Sequence, residues 1–583
     1  MDVFDFLALL GGLSLFLFGM NVMGDGLERR AGNSLKALLG KLTNSKIKGF
    51  LTGLGVTAVI QSSSATTVMV VGFVNSKIMT LRQSIGVIMG ANIGTTVTAW
   101  ILSLGGISSD NILLKLLKPT SFTPVLAIIG IGFMMFSKSS KKKDVGTILL
   151  GFATLMFGMD AMSDAVKGLA DVPEFQNLFL AFKNPILGVL VGAFVTAVIQ
   201  SSSASVGILQ ALSVTGAVSY SAAIPIIMGQ NIGTCVTAML SSFGANKNAK
   251  RASIVHLMFN VIGTVIWLSV FCIVSATLKP LILNDSASYL GIAVCHSVFN
   301  VLCTAVLLPA SSLLEKLAYK LVPEGAEPER VVELDERLLV TPAIAVEQSS
   351  QLACRMASDA VEGFRLGIRV IKDYTPELAE RIKAIEDDTD RYEDILGTYL
   401  TKLSRTPVSD EDNATVTKLL KAIGDFERIS DHAVNILDAV EELREKGIEF
   451  SPAAKVELDV LIGATEEILD LTERAFLAND LSLACEVEPL EEVIDDLKTL
   501  LRNNHIARLK EGVCTVETGF IWSDLLTSFE RVSDHCSNVA VGIIDVSEHT
   551  MNAHEVLRAM RSGSERYAER YRVYSERYAI VKA

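Results

Sequence analysis

The chain has 583 residues, half of them hydrophobic, with a mean hydropathy of +0.41 and a formal charge of −13. That length exceeds one compact domain. High hydropathy together with strong acidity excludes a uniform globular protein and a basic nucleic-acid binder, and calls for an apolar part joined to an acidic one.

The N-terminus carries Asp2 and Asp5, lacks a basic leader and has no small-residue cleavage site, so the first apolar run is expected to be a retained span. Charge-free apolar runs follow at about 6–24, 49–76, 84–109, 119–137, 145–159, 185–242, 252–278 and 286–314. A bilayer-crossing helix needs about 20 such residues, and most of these runs suffice. Two differ. Segments 49–76 and 185–214 are rich in Gly, Ser and Thr and are interrupted by Gln-Ser-Ser-Ser. A polar break at membrane depth survives only where protein or a water-filled cavity satisfies it, which predicts two re-entrant helical hairpins.

These segments belong to a repeat. Thr57-Ala-Val-Ile-Gln61-Ser62-Ser63-Ser64 recurs 139 residues later as Thr196-Ala-Val-Ile-Gln200-Ser201-Ser202-Ser203. In the same register Met89-Gly90-Ala-Asn92-Ile-Gly94-Thr95 answers Met228-Gly229-Gln-Asn231-Ile-Gly233-Thr234. Phe18-Gly19-Met20 with Asp25 answers Phe157-Gly158-Met159 with Asp164. Three blocks in register mark a duplicated polytopic unit, the usual plan of a secondary transporter.

Basic residues cluster at Arg29–Lys48, Lys138–Lys143 and Lys247–Arg251. If the hairpins do not cross, the positive-inside rule places all three clusters in the cytoplasm. The first repeat then crosses three times, at about 6–24, 84–104 and 119–137, and the second enters inverted. Two further spans put the C-terminal region inside.

Beyond about residue 320 the pattern turns amphipathic. Segments 343–373, 376–404, 411–446, 452–480, 483–511 and 516–549 alternate apolar and charged residues at helical spacing. They predict an acidic bundle of two three-helix halves, followed by a charged helix over Glu565–Tyr578. The eight cysteines show no CxxC and read as reduced, small hydrophobes. The expected protein is all-α. A membrane domain spans 1–315 (repeats about 1–138 and 139–250, then two spans), a linker 316–340, and a cytoplasmic bundle 341–583.

A Gln and three hydroxyls in a charge-free membrane segment are costly without partners. One copy would be explained equally well by close helix packing. Two copies under inverted symmetry favour a shared midplane site, where half-helix N-termini and hydroxyls hold an oxyanion and carbonyls and the Gln amide hold a small cation. With no Lys or Arg in these segments, an anion would need co-bound cations, which points to symport. The Asn-Ile-Gly-Thr blocks, through Asn92, Thr95, Asn231 and Thr234, are candidates to line the same site. His256-x-x-x-Asn260 and His296-x-x-x-Asn300 form a smaller echo, read first as an interhelical hydrogen-bond clamp and second as a proton or cation site.

The doubled hairpin and Asn-Ile-Gly-Thr motifs resemble the type II sodium–phosphate cotransporter family, bacterial branch, over about residues 1–315. The resemblance implies sodium-coupled import of inorganic phosphate across the bacterial cytoplasmic membrane, with Na+ as coupling ion. It places substrate and ions at Gln61, Ser62, Ser63, Ser64, Gln200, Ser201, Ser202 and Ser203, with Thr66, Ser205, Asn92, Thr95, Asn231 and Thr234 alongside.

The bundle carries its own doubled motif, Phe426-Glu427-Arg428-Ile-Ser-Asp431-His432 against Phe529-Glu530-Arg531-Val-Ser-Asp534-His535, with Glu386…Asp390 and Glu491…Asp495 upstream. Carboxylates four apart share a helix face; one such pair is usually a solvated, Arg-paired surface, whereas four on neighbouring helices can line a metal site. Over about 340–550 these residues resemble the PhoU family, which implies multinuclear divalent or ferric ions at Glu386, Asp390, Glu427, Asp431, Glu491, Asp495, Glu530 and Asp534, and regulation of phosphate uptake. A homodimer is left open. No nucleotide loop or nucleophile–base pair suggests an enzyme. Competing readings are another oxyanion such as sulfate, proton coupling, or a membrane-anchored phosphate sensor.

Overall fold

The computed structural model describes residues 3–40, 45–107, 119–168, 172, 184–324, 334–548 and 565–580. Among them no strand forms; the chain is helical, in two compact units, Met1–Ala345 with Pro407–Ser409 and Val346–Thr406 with Asp410–Ala583.

The first unit begins with α1 (Val3–Gly40), α2 (Lys46–Ile60), α3 (Ser63–Asn75), α4 (Leu81–Gly94), α5 (Thr96–Ser103) and α6 (Pro119–Phe136). The second repeat supplies α7 (Ser140–Lys167), α8 (Pro185–Ile199), α9 (Ser202–Ser213) and α10 (Tyr220–Ser241), followed by α11 (Lys247–Thr277), α12 (Tyr289–Leu307) and α13 (Ser311–Leu321). Six stretches are long and apolar enough to cross a bilayer: Phe4–Ala31, Leu81–Gly106, Ser140–Lys167, Tyr220–Ser241, Lys247–Thr277 and Tyr289–Leu307. The expected crossing at 119–137 is the 18-residue α6, near the lower length limit. It exposes Ile128, Met135 and Phe136, as a lipid-facing helix does.

Packing makes the inverted relation explicit. A Cβ on Gly12 would lie 3.0 Å from the Gly158 carbonyl, and one on Gly19 would lie 2.7 Å from that of Gly151. Gly12 and Gly151 are equivalent in the repeat, as are Gly19 and Gly158, so α1 and α7 cross antiparallel through matching positions. That is the contact a local twofold produces. Within each repeat, the hairpin follows from a second pair of contacts. A Cβ on Gly86 would meet the Lys46 carbonyl at 2.8 Å, on Gly90 the Phe50 carbonyl at 2.0 Å, and on Gly94 the Leu54 carbonyl at 2.8 Å, so α2 and α4 run parallel. Because only five residues separate α3 from α4, α3 must return toward the start of α2. Gly192, Gly229 and Gly233 repeat this geometry between α8 and α10.

Part of the expected linker is built into this unit. A 3-10 turn, Glu336–Val340, packs on α3, with Leu338 buried against Gly72. Asn75 donates to buried Asp335 at 2.5 Å, and Asp335 pairs with Arg337 at 2.9 Å. Arg337 donates to the Ser241 carbonyl and, at 2.9 Å, to that of Phe243.

The second unit holds α14 (Pro342–Lys372), α15 (Pro376–Leu403), α16 (Asp410–Lys446), α17 (Pro452–Ala478), α18 (Leu481–Lys510) and α19 (Val516–Glu548), all six within two residues of the sequence reading. Its halves meet through α16 and α19, with Phe364–Phe529 at 5.7 Å and Phe426–Phe476 at 4.9 Å. The charged tail is α20 (Glu565–Arg577), which packs on α18. Tyr571 donates to Asp496 at 2.6 Å, Arg570 to Glu486 at 2.7 Å, Arg577 to Glu467 at 2.6 Å, and Tyr567 to Glu492. None of the eight cysteines forms a disulfide.

Candidate functional site

Each broken helix is interrupted by the same local device. Gln61 and Gln200 adopt φ of +61° and +59°, the left-handed conformation that stops α2 and α8. The next residue turns extended and caps the returning helix: Ser62 Oγ accepts from Ala65 N–H at 3.1 Å, and Ser201 Oγ from Ala204 N–H at 3.2 Å. The Gln-Ser-Ser-Ser sequence is thus a C-terminus, a reversal and an N-terminus in four residues. It leaves unpaired N–H groups at the start of α3 and α9, where an anion is favoured.

The two tips meet. Ser64 donates to the Gln200 carbonyl at 3.3 Å, and all eight Gln-Ser-Ser-Ser residues line one cavity of about 420 Å³. Ser63, Ser202 and Ser203 are more than nine-tenths buried, and their hydroxyls have no hydrogen-bond partner among the described residues. The two glutamines differ. Gln61 accepts from Thr98 at 2.9 Å and donates to the Ala58 carbonyl, whereas the Gln200 amide is exposed to the cavity. The opposite wall is one face of α1, Asn21, Gly24, Asp25 and Glu28. Asn21, Asp25 and Glu28 recur at helical spacing at the end of the first apolar run, a signal present in the sequence.

The remaining candidates lie outside the lining. Thr66 accepts from Thr57 at 3.0 Å and donates to the Ser62 carbonyl, bracing the first tip. Thr95, Asn231 and Thr234 bond back to carbonyls of Ala91, Ile227 and Gln230 in their own helices. Asn92 is buried with its amide nitrogen unpaired, and Ser205 borders a small apolar cavity between α8, α9 and α10. The His-Asn echo does not form its expected clamp through the rings. Asn260 and Asn300 each donate to the carbonyl of their own His at 3.0 Å, Asn260 reaches Cys235 at 3.3 Å, and both imidazoles are buried without partners among the described residues.

In the second unit the doubled carboxylate motifs prove unequal. Asp390, Glu393 and Glu427 bring one oxygen each within 4.8 Å of one another, a spacing that fits a metal ion. Burial first, then Asp431, pushes Glu427 up to about 7, and the same causes raise Glu386. Four of these five carboxylates were legible in the sequence; Glu393 was not. At the position equivalent to Glu393 the second half carries Lys498, whose ammonium lies 2.8 Å from Glu530. Arg531 lies 3.3 Å from Asp534. A cationic side chain thus stands where the first half has Glu393, whereas the Arg–Asp pair is common to both halves, Arg428 lying 2.8 Å from Asp431.

Comparison with known proteins agrees with both halves of this description. Residues 15–164 and 155–278 match the Na+/Pi-cotransporter family, and residues 353–440 and 459–542 match the PhoU domain. The chain joins a Na+/Pi-cotransporter domain to a PhoU domain. Escherichia coli K12 YjbB, which carries a provisional name as an inorganic phosphate export protein, is 24% identical over 92% of this chain and 97% of its own. Rat sodium-dependent phosphate transport protein 2A is 37% identical over 148 residues, 23% of this chain and 22% of that one. A PhoU homolog of Thermotoga maritima, named as a phosphate-specific transport accessory protein, is 31% identical over 26% of this chain and 63% of its own. The first unit thus matches a membrane-transporter family and holds six helices long and apolar enough to cross a bilayer.

Proposed function

We propose that the protein is a sodium-coupled transporter of inorganic phosphate working by alternating access, with the C-terminal unit on the cytoplasmic side as a metal-binding regulator. The convergence of two symmetry-related hairpin tips on one cavity carries this reading. Phosphate would be held by the N-termini of α3 and α9 and by the free hydroxyls of Ser63, Ser202 and Ser203. Sodium would sit near tip carbonyls and the Gln200 amide, offsetting charge that no Lys or Arg of the lining offsets. Alternation would exchange the roles of α1 and α7 about the local twofold. Direction follows the combined sodium and phosphate gradients, so an inward sodium gradient drives import. Efflux is the second reading, favoured by the name of YjbB, which matches nearly the full chain.

Labelled phosphate flux in proteoliposomes with imposed sodium gradients tests both. Sodium-driven accumulation is expected, with loss in Ser63→Ala and Ser202→Ala at normal expression. Flux indifferent to sodium, or normal flux in both variants, would sink the assignment. Flux that runs only outward under every imposed gradient would select efflux.

A further inference from the structure

The cavity wall facing the serine tips presents a chemical problem that the tips do not solve. Asp25 and Glu28 of α1 are among the lining residues, and no Lys or Arg is among the described ones. Arg29, one turn beyond Asp25, is a cation that acts on it electrostatically, but its guanidinium lies 3.3 Å from Asp144. An oxyanion on the serines would therefore face carboxylate across the same cavity. Like charges confined together repel unless a cation lies between them.

We infer that Asp25 is a ligand of the coupling cation, a small alkali-metal ion held between its carboxylate and the bound oxyanion. The inference rests on the reading of this cavity as the phosphate site. Ser63, Ser202 and Ser203, buried residues that line the cavity and whose hydroxyls have no partner among the described residues, point independently to a ligand there. Carboxylate and hydroxyl oxygens are the donors a hard monovalent ion takes. The repeat mate of Asp25 supplies the contrast: Asp164 lies outside this lining and is bonded to Lys167 at 2.6 Å. In this conformation the duty falls on the first repeat alone. A bridging ion also makes the two ligands interdependent, since each raises the affinity for the other by the same factor.

The test measures initial phosphate flux against sodium concentration for the full chain in proteoliposomes. In Asp25→Asn the sodium concentration for half-maximal flux should rise about tenfold, while half-saturating phosphate at saturating sodium stays near the wild-type value. Asp25→Glu, which keeps the carboxylate, should fall between. An unchanged sodium curve in Asp25→Asn would overturn the assignment. If that variant does not turn over, the sodium-induced shift in its melting temperature in detergent decides: loss of the shift supports the ligand role, and a wild-type shift overturns it. Wild-type flux without sodium dependence would instead remove the underlying reading of the cavity.

Discussion

At the scale of single residues, the membrane unit is governed by where a side chain has no room. A Cβ on Gly229 would lie 2.0 Å from the Val189 carbonyl, and the atom it meets is backbone, which cannot swing aside. Gly229→Ala must therefore separate α8 from α10, and overpacking of this kind costs about 1–3 kcal/mol. Gly55, inside α2, has nothing within 4 Å of an added Cβ. Gly55→Ala should be neutral or stabilising by up to about 1 kcal/mol, since alanine is the better helix former. Melting temperatures of the two variants in detergent check the pair; equal effects would refute the packing argument. The glycines were visible in the Asn-Ile-Gly-Thr blocks, where the site-lining role suggested by the sequence fell on Asn92, Thr95, Asn231 and Thr234. The structure gives the glycines a crossing to make, and it ties Thr95, Asn231 and Thr234 back to their own helices.

At the scale of elements, the two halves of the PhoU unit share a helix plan and diverge in chemistry. Glu393 on α15 joins Asp390 and Glu427, whereas its counterpart on α18 is Lys498, paired with Glu530. Metal analysis of the purified full chain should find metal lost from the double variant Asp390→Asn, Glu427→Gln. It should find capacity gained in Lys498→Glu, which restores a carboxylate where the ammonium lay. No gain there would show that Lys498 is not what separates the halves. Farther along α18, His505 is buried and stacks on Trp522 with centroids 6.3 Å apart. Burial first, then Arg508, pushes its pKa below the ordinary value. The unfolded chain then binds this proton more readily than the fold does. The stability contributed is fully present above about pH 6.5 and falls as the solution is acidified through that value. Melts followed by Trp522 emission, with Trp100 and Trp267 replaced by Phe, should drop between about pH 7 and 5. His505→Gln should flatten that drop, and an unchanged slope would assign the acid sensitivity elsewhere.

At the scale of the whole chain, what the sequence made legible was what repeats or alternates. Helix spacing placed α14 to α19 to within two residues, the Gln-Ser-Ser-Ser breaks foretold both hairpins, and the basic loops foretold the inversion of the repeat. What stayed hidden depends on contacts between distant segments. The face that α1 turns to the tips is one case. The short run after residue 333, too polar and too brief to read as more than linker, is the other. There Asp335 and Arg337 tie the end of α3 to the end of α10, and Leu338 fills the space that Gly72 leaves. This run is part of the membrane unit's fold rather than slack between units, and truncation separates those alternatives. A chain ending at Ala345 keeps every one of these contacts, so its melting temperature in detergent should match that of the membrane unit in the full protein. A chain ending at residue 333 loses them. Leu338 alone contributes about 1.5–3 kcal/mol on full burial, and Asn75 would lose its carboxylate partner at the end of α3. The shorter chain should melt several degrees lower. A double variant, Asp335→Asn with Leu338→Ala, should reproduce most of that loss in the longer chain. Equal melting of the two truncations would mean that the run contributes nothing to the membrane unit.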